Sequence, residues 1–394
     1  MKALFVRDSK FCLDQAGNTV TEGHLSYDIL QRYLKHFDEI IVVGRSSLFN
    51  EEKTYKISSG EGAKFVLMPS LASLKGMLRY RAEIKKKLHE LVSSVDAVII
   101  RSSLLGKLAA PIARKTGTPW AVEMGGCAWD TYWNYGSVQS KIWAPVAYHL
   151  QRKIVSNAPY AIYVTKNFLQ NRYPCSGVTS YASNVEISAP DSFLMKKRIK
   201  RVSNPGNPFI FGLIGSLQTK YKGIQTALAA FKKIKNRLPE FELQILGEGD
   251  RAPWRRLAKS LDLEKNTRFL GTLPPGPPVL TWLSTVDVYL QPSFQEGLPR
   301  ALAEATSQAC PAIGSTAGGI PELLETGSMC KPGDINGLSG LILKSLSPQW
   351  RKEQAEKNFD ASKRYTKEAL DARRDEFWAD FAQYARKHLQ EKTT

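Results

Sequence analysis

The sequence has no long apolar run. No stretch of its 394 residues approaches the length that a helix needs to cross a bilayer. At the N-terminus the apolar residues Ala3–Val6 stop at once against Arg7 and Asp8, so the longer apolar region of a signal peptide is missing. We therefore expect no signal peptide and interpret Ala3–Val6 as the first β-strand.

Cysteine is scarce as well, and its spacing is uninformative for metals. The five cysteines are scattered, odd in number and without a Cys-x-x-Cys pair. This pattern argues against a disulfide framework and against a zinc site. It is typical of a protein from a reducing cytoplasm.

Acidic residues are outnumbered by basic ones. The chain has 55 Lys and Arg against 37 Asp and Glu, a net charge of +18. Residues 1–188 carry 24 − 15 = +9 of it, so neither half is a basic tail. This balance favours nucleic acid, an anionic membrane surface or a phosphorylated substrate as a neighbour. Solubility alone also accounts for it, and charge does not decide among these four.

Strand-like and helix-like runs alternate along the chain, which is typical of doubly wound parallel sheets. We predict an N-terminal Rossmann-like domain at residues 1–188 and a second one at 209–360. The basic, proline-containing stretch 189–208 has little apolar periodicity and is interpreted as the linker. Residues 361–394 are predicted to hold an amphipathic helix that packs against a domain. Two such domains predict an active-site cleft between them.

The most informative segment is Pro292–Ala305. It follows a predicted strand and contains Glu296 in a turn and Glu304 on a helix that begins near Pro299. Ligands of such sheets lie beyond the carboxyl ends of the strands, and a helix N-terminus suits phosphate. A carboxylate opposite a ribose can accept hydrogen bonds from both of its hydroxyls. We therefore predict that this segment faces the cleft.

A second segment, Phe211–Gly223, is again a strand followed by a glycine-containing loop and a helix. Gly215 permits a close approach of the backbone to a ligand. Lys222 is placed to balance the charge that develops on a departing diphosphate.

Together with Pro311–Gly314 and Ala317–Glu322, these segments resemble the retaining enzymes of glycosyltransferase family 4, which carry a Glu-x7-Glu pair. Gln244–Gly249 and Phe269–Gly271 agree in order and spacing, and the match covers roughly residues 209–340. The resemblance implies a GT-B fold, an α/β architecture with two Rossmann-like parallel-sheet domains facing a cleft. It also implies a C-terminal helix that packs back across the domains to the N-terminal one.

The resemblance assigns a role to each matching residue. Glu296, the candidate catalytic residue, would lie beside the donor sugar's hydroxyls and anomeric region. Glu304 would hold the ribose, and Lys222 would contact the diphosphate. The other candidate substrate-binding residues are Gly215, Ser216, Gly297, Leu298, Pro299 and Arg300 in the second half and Gly17, Glu123 and Asp130 in the first.

The sequence departs from the family at three places. Ser216 stands where many relatives have arginine, so that either Lys220 or Arg300 supplies the missing positive charge or the diphosphate is held less tightly. Pro299 replaces a residue that is often glycine. The stretch Ala121–Cys127 has no histidine where several relatives have one.

A side-chain base is not required for retention. In the front-face mechanism proposed for the family, the leaving phosphate takes the acceptor's proton and the enzyme supplies positioning and electrostatic stabilisation. Glu123 and Asp130 are alternative helpers near the acceptor. Glu123 is equally well explained as a residue that ends a strand.

No Asp-x-Asp occurs in the chain. Glycosyltransferases of the other common architecture use that motif to hold a divalent metal on the diphosphate. We therefore expect no cofactor and no divalent metal, with lysine neutralising the diphosphate instead.

Two segments bear on the acceptor. Cys127–Tyr148 is rich in aromatic residues, which suit sugar faces or a bilayer interface, although core packing is the commoner explanation. The basic helix Lys75–Leu91 is a candidate for contact with anionic lipid, and a solvated charged face is the plain alternative. With the resemblance, they favour a cytoplasmic enzyme, peripheral on the inner face of the cytoplasmic membrane. It would transfer a hexose or N-acetylhexosamine, UDP being the favoured nucleotide, to a lipid-linked or oligosaccharide acceptor in surface-polysaccharide (O-antigen or capsule) synthesis.

Two alternatives stay open. A GT-B nucleotide-sugar epimerase would bind the same donor but would need neither an acceptor site nor a basic membrane helix. A non-catalytic nucleic-acid-binding protein is suggested by charge alone. It predicts a basic stripe with exposed aromatics, whereas the basic residues are spread over both halves, so we expect no nucleic-acid partner.

Overall fold

The structure is a computed structural model, and it describes residues 1–23, 25–71, 74–185, 187–189 and 191–393. The N-terminal part is built on one sheet with helices on its faces. Its strands are β1 (Lys2–Leu13), β2 (Thr19–Thr21), β3 (Glu39–Ser46), β4 (Lys56–Ile57), β5 (Ala63–Met68), β6 (Ala97–Arg101), β7 (Trp120–Met124), β8 (Tyr160–Tyr163) and β9 (Val178–Tyr181). Its helices are α1 (Tyr27–Leu34), α2 (Leu74–Ser93), α3 (Leu104–Thr116), α4 (Ala128–Trp133), α5 (Val138–Ser156) and α6 (Phe168–Arg172).

Seven strands of this sheet are parallel, in the order β5-β3-β1-β6-β7-β8-β9. Lys10 and Phe11 of β1 still pair with β3, and the last two residues, Cys12 and Leu13, form an antiparallel arm with β2, which β4 extends. The central strands, such as β6 and β8, are almost continuously apolar and buried because helices cover both faces of the sheet. The chain order reverses between β1 and β6, the kind of switch point at which ligands bind in such sheets.

The C-terminal part repeats this plan. Its strands are β10 (Phe209–Ile214), β11 (Phe241–Leu246), β12 (Thr267–Gly271), β13 (Val288–Gln291), β14 (Ala312–Ser315) and β15 (Met329–Cys330). They are parallel, in the order β12-β11-β10-β13-β14-β15. The helices, with the one that precedes this sheet, are α7 (Ser192–Ser203), α8 (Ile224–Ile234), α9 (Ala252–Ser260), α10 (Pro277–Thr285), α11 (Arg300–Ser307), α12 (Ile335–Lys344), α13 (Pro348–Ser362) and α14 (Lys367–Thr393). The prediction of two Rossmann-like parallel-sheet domains is confirmed.

The connection between the domains contains a helix. Residues 189–208 were interpreted as the linker, and Ser192–Ser203 within this stretch form α7, which packs against the C-terminal domain. The buried guanidinium of Arg198 donates hydrogen bonds to the backbone oxygens of Leu283 and Val286 at 2.9 and 2.6 Å. These bonds satisfy backbone carbonyls in the last turn of α10 and just after its end. One basic residue of this stretch, Arg198, therefore makes an internal contact.

Helix α14 returns to the N-terminal domain. The ring of Trp378 packs edge-on against Tyr33 with centroids 5.2 Å apart. The ring centroids of Phe381 and Tyr160 lie 5.3 Å apart, with the two rings tilted. The chain thus crosses between the domains twice. The two crossings lie side by side, because the Lys367 backbone N–H donates to the carbonyl of Ile187 at 2.9 Å.

Candidate active site

Two loops of the C-terminal domain meet at its switch point. The loop after β10 and the loop after β13 are joined by the Phe294 N–H, which donates to the carbonyl of Tyr221 at 2.7 Å. Gly223 lies at φ +77°, and a Cβ there would come within 1.9 Å of the Pro292 carbonyl oxygen. Only glycine therefore lets the two backbones lie this close.

This contact places the Lys222 side chain against Glu296. One carboxylate oxygen of Glu296, Oε1, accepts hydrogen bonds from Lys222 Nζ at 2.8 Å and Ser293 Oγ at 2.7 Å. A third donor, Gln291 Nε2, lies at 2.9 Å. The Glu296 side chain is only 8% exposed. A carboxylate held by a cation and two neutral donors keeps one orientation, which is the preorganisation that a catalytic group needs.

Glu296 lies in an interdomain cavity of about 450 Å³. Part of its lining follows the carboxyl ends of strands of both sheets, as expected for ligand sites in parallel sheets, and the rest comes from helices α3, α4 and α5. The residues that line it are Arg101–Leu104, Lys107, Gly125–Ala128, Thr131, Tyr132, Gln151, Tyr221, Lys222 and Gln295–Gly297. Glu296 is the single carboxylate among these described residues, beside three cations, Arg101, Lys107 and Lys222. The cavity is therefore electrostatically suited to an anion.

The two domains touch at the floor of this cavity. A Cβ on Gly297 would lie 3.1 Å from the carbonyl oxygen of Gly125, so the two backbones are in close contact here. Beside it, Glu322 reaches from the C-terminal domain to the start of α6. Its carboxylate accepts hydrogen bonds from the backbone N–H groups of Lys166 and Asn167 at 2.6 and 2.9 Å. Glu322 thus caps a helix of the other domain.

A second cavity, of about 840 Å³, lies between α10 and α11 and is covered by residues 187–189 and by α7. It contains Arg300 and Glu304, on the first and second turns of α11. Burial raises the pKa of the Glu304 carboxyl, and the neighbouring Arg300 lowers it by a smaller amount. Glu296 and Glu304 line separate cavities in the described structure.

Comparison with known proteins identifies the family. Residues 208–347 match the family model described as glycosyl transferases group 1. Over 360 residues the chain is 32% identical to protein CapJ of Staphylococcus aureus, which covers 91% of this chain and 90% of that protein. The chain belongs to the group 1 glycosyltransferases.

Further similarities concern parts of the chain or its shape. The amylovoran biosynthesis glycosyltransferase AmsK of Erwinia amylovora is 32% identical over 136 residues, about a third of each chain. The crystal structure of Anabaena HepE in complex with UDP matches 99% of this chain and 100% of that chain at a TM-score of 0.60 and 16% identity. The expected GT-B architecture is thereby confirmed for this glycosyltransferase.

The structure places the candidates of the C-terminal half unevenly. Glu296, Gly297 and Lys222 line the interdomain cavity, whereas Arg300 and Glu304 line the α10/α11 cavity. The remaining four do not line the interdomain cavity. A Cβ added at Gly215 would lie 2.8 Å from Lys222 Cβ, and Ser216 Oγ accepts a hydrogen bond from the Gln218 N–H. Leu298 is buried, and Pro299 is the residue before α11. Leu298 and Pro299 connect the two cavities along the chain.

Glu123 does not face the interdomain cavity of the glycosyltransferase. It is buried on β7, where its carboxylate accepts a hydrogen bond from Tyr33 Oη at 2.9 Å and lies 3.6 Å from the Arg101 guanidinium. Burial raises the pKa of Glu123, but Arg101, the Tyr33 hydroxyl and Arg7 outweigh it and hold the pKa below its usual value. Glu123 is therefore placed to orient Arg101 and not to take a proton from an acceptor.

The other two N-terminal candidates also lie outside the cavity lining. Asp130 pairs with Arg172 at 2.8 Å, so its charge is already neutralised. Gly17 lies at φ +81° in the turn between β1 and β2, where its N–H donates to the carbonyl of Asp14. Turn geometry accounts for this glycine without a substrate.

Several cavity residues were missed by the sequence analysis. Arg101 and Ser102 lie directly at and after the end of β6, and Lys107 and Tyr132 come from α3 and α4. The signal for Arg101 was available, because the rule that ligands lie at strand ends applies to the first sheet as well as to the second. Lys107 and Tyr132 carried no such signal, since helix packing brings them to the cavity.

Two observations concern metals and membranes. Within the described part of the chain, no three His, Cys, Asp or Glu side chains lie close enough to share a metal ion. In the same part, no helix has the length and apolar character needed to cross a membrane.

The aromatic segment Cys127–Tyr148 is only partly core. Trp129 and Tyr148 are half-buried and pack against one another edge-on. Trp133 and Trp143 are 45% and 59% exposed, so core packing does not explain them.

Proposed function

We propose that this glycosyltransferase transfers a hexose or N-acetylhexosamine, with retention, from a UDP-sugar to a lipid-linked saccharide in bacterial surface-polysaccharide (O-antigen or capsule) synthesis. The observation that carries the proposal is the Glu296–Lys222 pair in a cavity whose walls come from both domains. A donor bound by one domain and an acceptor bound by the other would meet there. Two relatives support the wider setting: AmsK is named for amylovoran biosynthesis, and HepE binds UDP.

In this proposal each residue acts through charge and position. Lys222 stabilises the diphosphate as it departs, and Glu296 orients both Lys222 and the donor sugar's hydroxyls. Because Lys222 Nζ already lies 2.8 Å from Glu296, one carboxylate holds the ammonium at the place where negative charge develops. Glu304, in the α10/α11 cavity, accepts hydrogen bonds from the ribose hydroxyls.

Proton transfer in this proposal uses the leaving phosphate. The acceptor hydroxyl loses its proton to a phosphate oxygen on the same face of the sugar, so that the configuration at the anomeric carbon is retained. This fits Glu123, which is buried and paired with Arg101, and Asp130, which is paired with Arg172, because neither is placed as a base. Divalent metal is not required, because lysine and arginine neutralise the diphosphate. Attachment to the membrane is peripheral.

Calorimetric titration with UDP and GDP, with and without EDTA, tests the donor. We expect one nucleotide to bind, insensitively to EDTA, and Glu304→Ala to weaken it by about tenfold or more through loss of a charge-assisted contact. Glu353→Ala, an exposed glutamate of α13, is the matched control. No binding of either nucleotide would remove the donor assignment.

Sugar transfer and retention of the anomeric configuration are tested by analysing the reaction product. Incubation of UDP-sugar with a lipid-linked saccharide, followed by NMR of the new linkage, should show the anomeric configuration of the donor. An inverted linkage contradicts the front-face mechanism. Turnover of the UDP-sugar to an isomeric UDP-sugar without acceptor would instead identify an epimerase.

A further inference from the structure

An apolar groove of about 750 Å³ runs over the N-terminal domain between α3 and α5, with α2 along one side. Each helix contributes one face, at spacings of three and four residues. Its apolar lining includes Leu104, Leu108 and Pro111 of α3, Trp143, Val146 and Leu150 of α5, and Met77 of α2.

The groove is open to water. Trp143, Leu150 and Val146 are 59%, 49% and 42% exposed, and they follow one another along α5. Exposed apolar surface of this extent costs free energy in proportion to its area and marks a binding surface. The charged residues among the described lining are Arg81, Lys107, Arg114 and Lys153, with no carboxylate. The surface is therefore complementary to an amphiphile that is apolar along its length and negatively charged.

The groove continues into the interdomain cavity. Leu104, Lys107 and Tyr132 line both spaces, so one extended molecule can occupy the two together. From Leu104 to Arg114 the α3 wall is about 15 Å long at 1.5 Å per residue. This length suits a hydrocarbon chain whose polar end enters the cavity that holds Glu296.

Lys107 stands at the junction of the two spaces. Its ammonium lies 5.8 Å from the centre of the Tyr132 ring and makes no hydrogen bond or ion pair with any residue that the structure describes. Burial lowers its pKa, and no neighbouring carboxylate compensates. A half-buried cation without a partner favours an anion delivered by a ligand.

We propose that the groove holds the hydrocarbon chain of an anionic lipid acceptor, whose phosphate lies at Lys107 and whose saccharide lies in the interdomain cavity. This inference rests on the proposed function, and it gives the acceptor a place on the molecule. A single lipid molecule occupies the groove. A bilayer surface or a second copy of the chain are the rival occupants.

Farnesyl phosphate, below the concentration at which it forms micelles, is the probe. We expect it to bind the full-length protein, as followed by tryptophan fluorescence and calorimetry, and farnesol and inorganic phosphate to bind at least about tenfold more weakly. Lys107→Gln removes the cation and Leu150→Glu places a carboxylate in the groove, and each should weaken binding by about tenfold or more. Ile142→Glu is the matched control, because Ile142 is an exposed apolar residue of the same helix that lies outside the groove lining.

The outcomes separate the rivals. Equal loss in the Ile142 and Leu150 variants, or binding only to vesicles that contain phosphatidylglycerol, would overturn the groove in favour of a membrane face. A dimer that Leu150→Glu dissociates in sedimentation would overturn it in favour of self-association. UDP titration of the same variants checks their fold and tests the donor independently: UDP binding without farnesyl phosphate binding refutes the groove alone, and the reverse result refutes the donor assignment alone.

Discussion

Replacing Glu322 by glutamine removes the negative charge that caps α6 from the opposite domain. The side chain of Asn167, the residue before α6, makes no capping hydrogen bond of its own. The Glu322 carboxylate accepts from the N–H groups of Lys166, Asn167 and Phe168 at 2.6, 2.9 and 3.1 Å. Glutamine keeps one acceptor oxygen but loses the charge, so the contact between the domains should weaken.

The magnitude follows from the exposure of the donors. Lys166 and Asn167 are exposed, so water replaces part of the lost bonding and the cost lies at the low end for charged hydrogen bonds. A lost helix cap costs about 0.5–2 kcal/mol, and a lost charge at a helix N-terminus about 0.3–1 kcal/mol. We expect Glu322→Gln to destabilise the contact between Glu322 and the start of α6 by about 1–2 kcal/mol. The ratio of molecules in which this contact is formed to molecules in which it is open then falls about 5- to 30-fold.

Hydrogen exchange of the amides at the start of α6 measures this ratio directly. Their protection should fall about 5- to 30-fold in Glu322→Gln. Glu325→Gln is the control, because Glu325 lies on the same segment but pairs with Lys357 inside the C-terminal domain. Unchanged protection in Glu322→Gln, or an equal loss in Glu325→Gln, would refute this account of the contact.

Three further predictions concern the two cavities and the loop contact. Glu296→Gln should lower kcat about 100-fold or more while UDP affinity changes little, since a preorganised charge acts mainly as the diphosphate departs. Steady-state kinetics together with calorimetry measures both quantities, and an increase in KM with kcat unchanged would contradict the prediction. Burial raises the pKa of Glu304, and only the ionised carboxylate accepts hydrogen bonds from both ribose hydroxyls, so UDP affinity should begin to fall on acidification at a higher pH than it would for an exposed glutamate. Because UDP itself titrates, the quantity to measure is the ratio of wild-type to Glu304→Gln affinity for UDP. A ratio that does not change with pH would count against the role of Glu304. Gly223→Ala should lower the free energy of unfolding by about 1–3 kcal/mol, because the new Cβ clashes with the Pro292 carbonyl and alanine is strained at positive φ. Gly340→Ala, on helix α12 with open space around it, should not. Urea unfolding of both variants distinguishes them, and equal unfolding midpoints would rule out the clash.

Much of the second half could be derived from local sequence. The strand–loop–helix order around Gly215–Gly223 and Pro292–Glu304 agrees with β10, β13 and α11. These are short, continuous segments, and their apolar periods and glycines act over a few residues. The interaction of Lys222 with Glu296 follows from them, because both loops leave neighbouring parallel strands at the same edge.

The site residues of the N-terminal half were harder to predict from the sequence, for a physical reason. Arg101, Lys107 and Tyr132 come together from a strand end and two helices, and no local pattern marks their meeting. Glu123 and Asp130 looked available in the sequence, but each is paired with an arginine that is distant along the chain. Residues 189–208 looked like a linker because a basic, proline-containing stretch gave no sign that Arg198 would be buried.

The sequence by itself therefore determined the two parallel sheets, the assignment as a glycosyltransferase and the loops that carry Glu296 and Lys222, since these depend on short-range periodicity and on motif spacing. Tertiary structure alone decided which side chains share a cavity. It separated Glu304 from Glu296, buried Glu123 behind Arg101 and joined the apolar groove of α3 and α5 to the interdomain cavity at Lys107. The reason is that charge pairing and cavity walls depend on contacts between residues far apart in the chain, and these exist only once both domains and the returning helix α14 have packed.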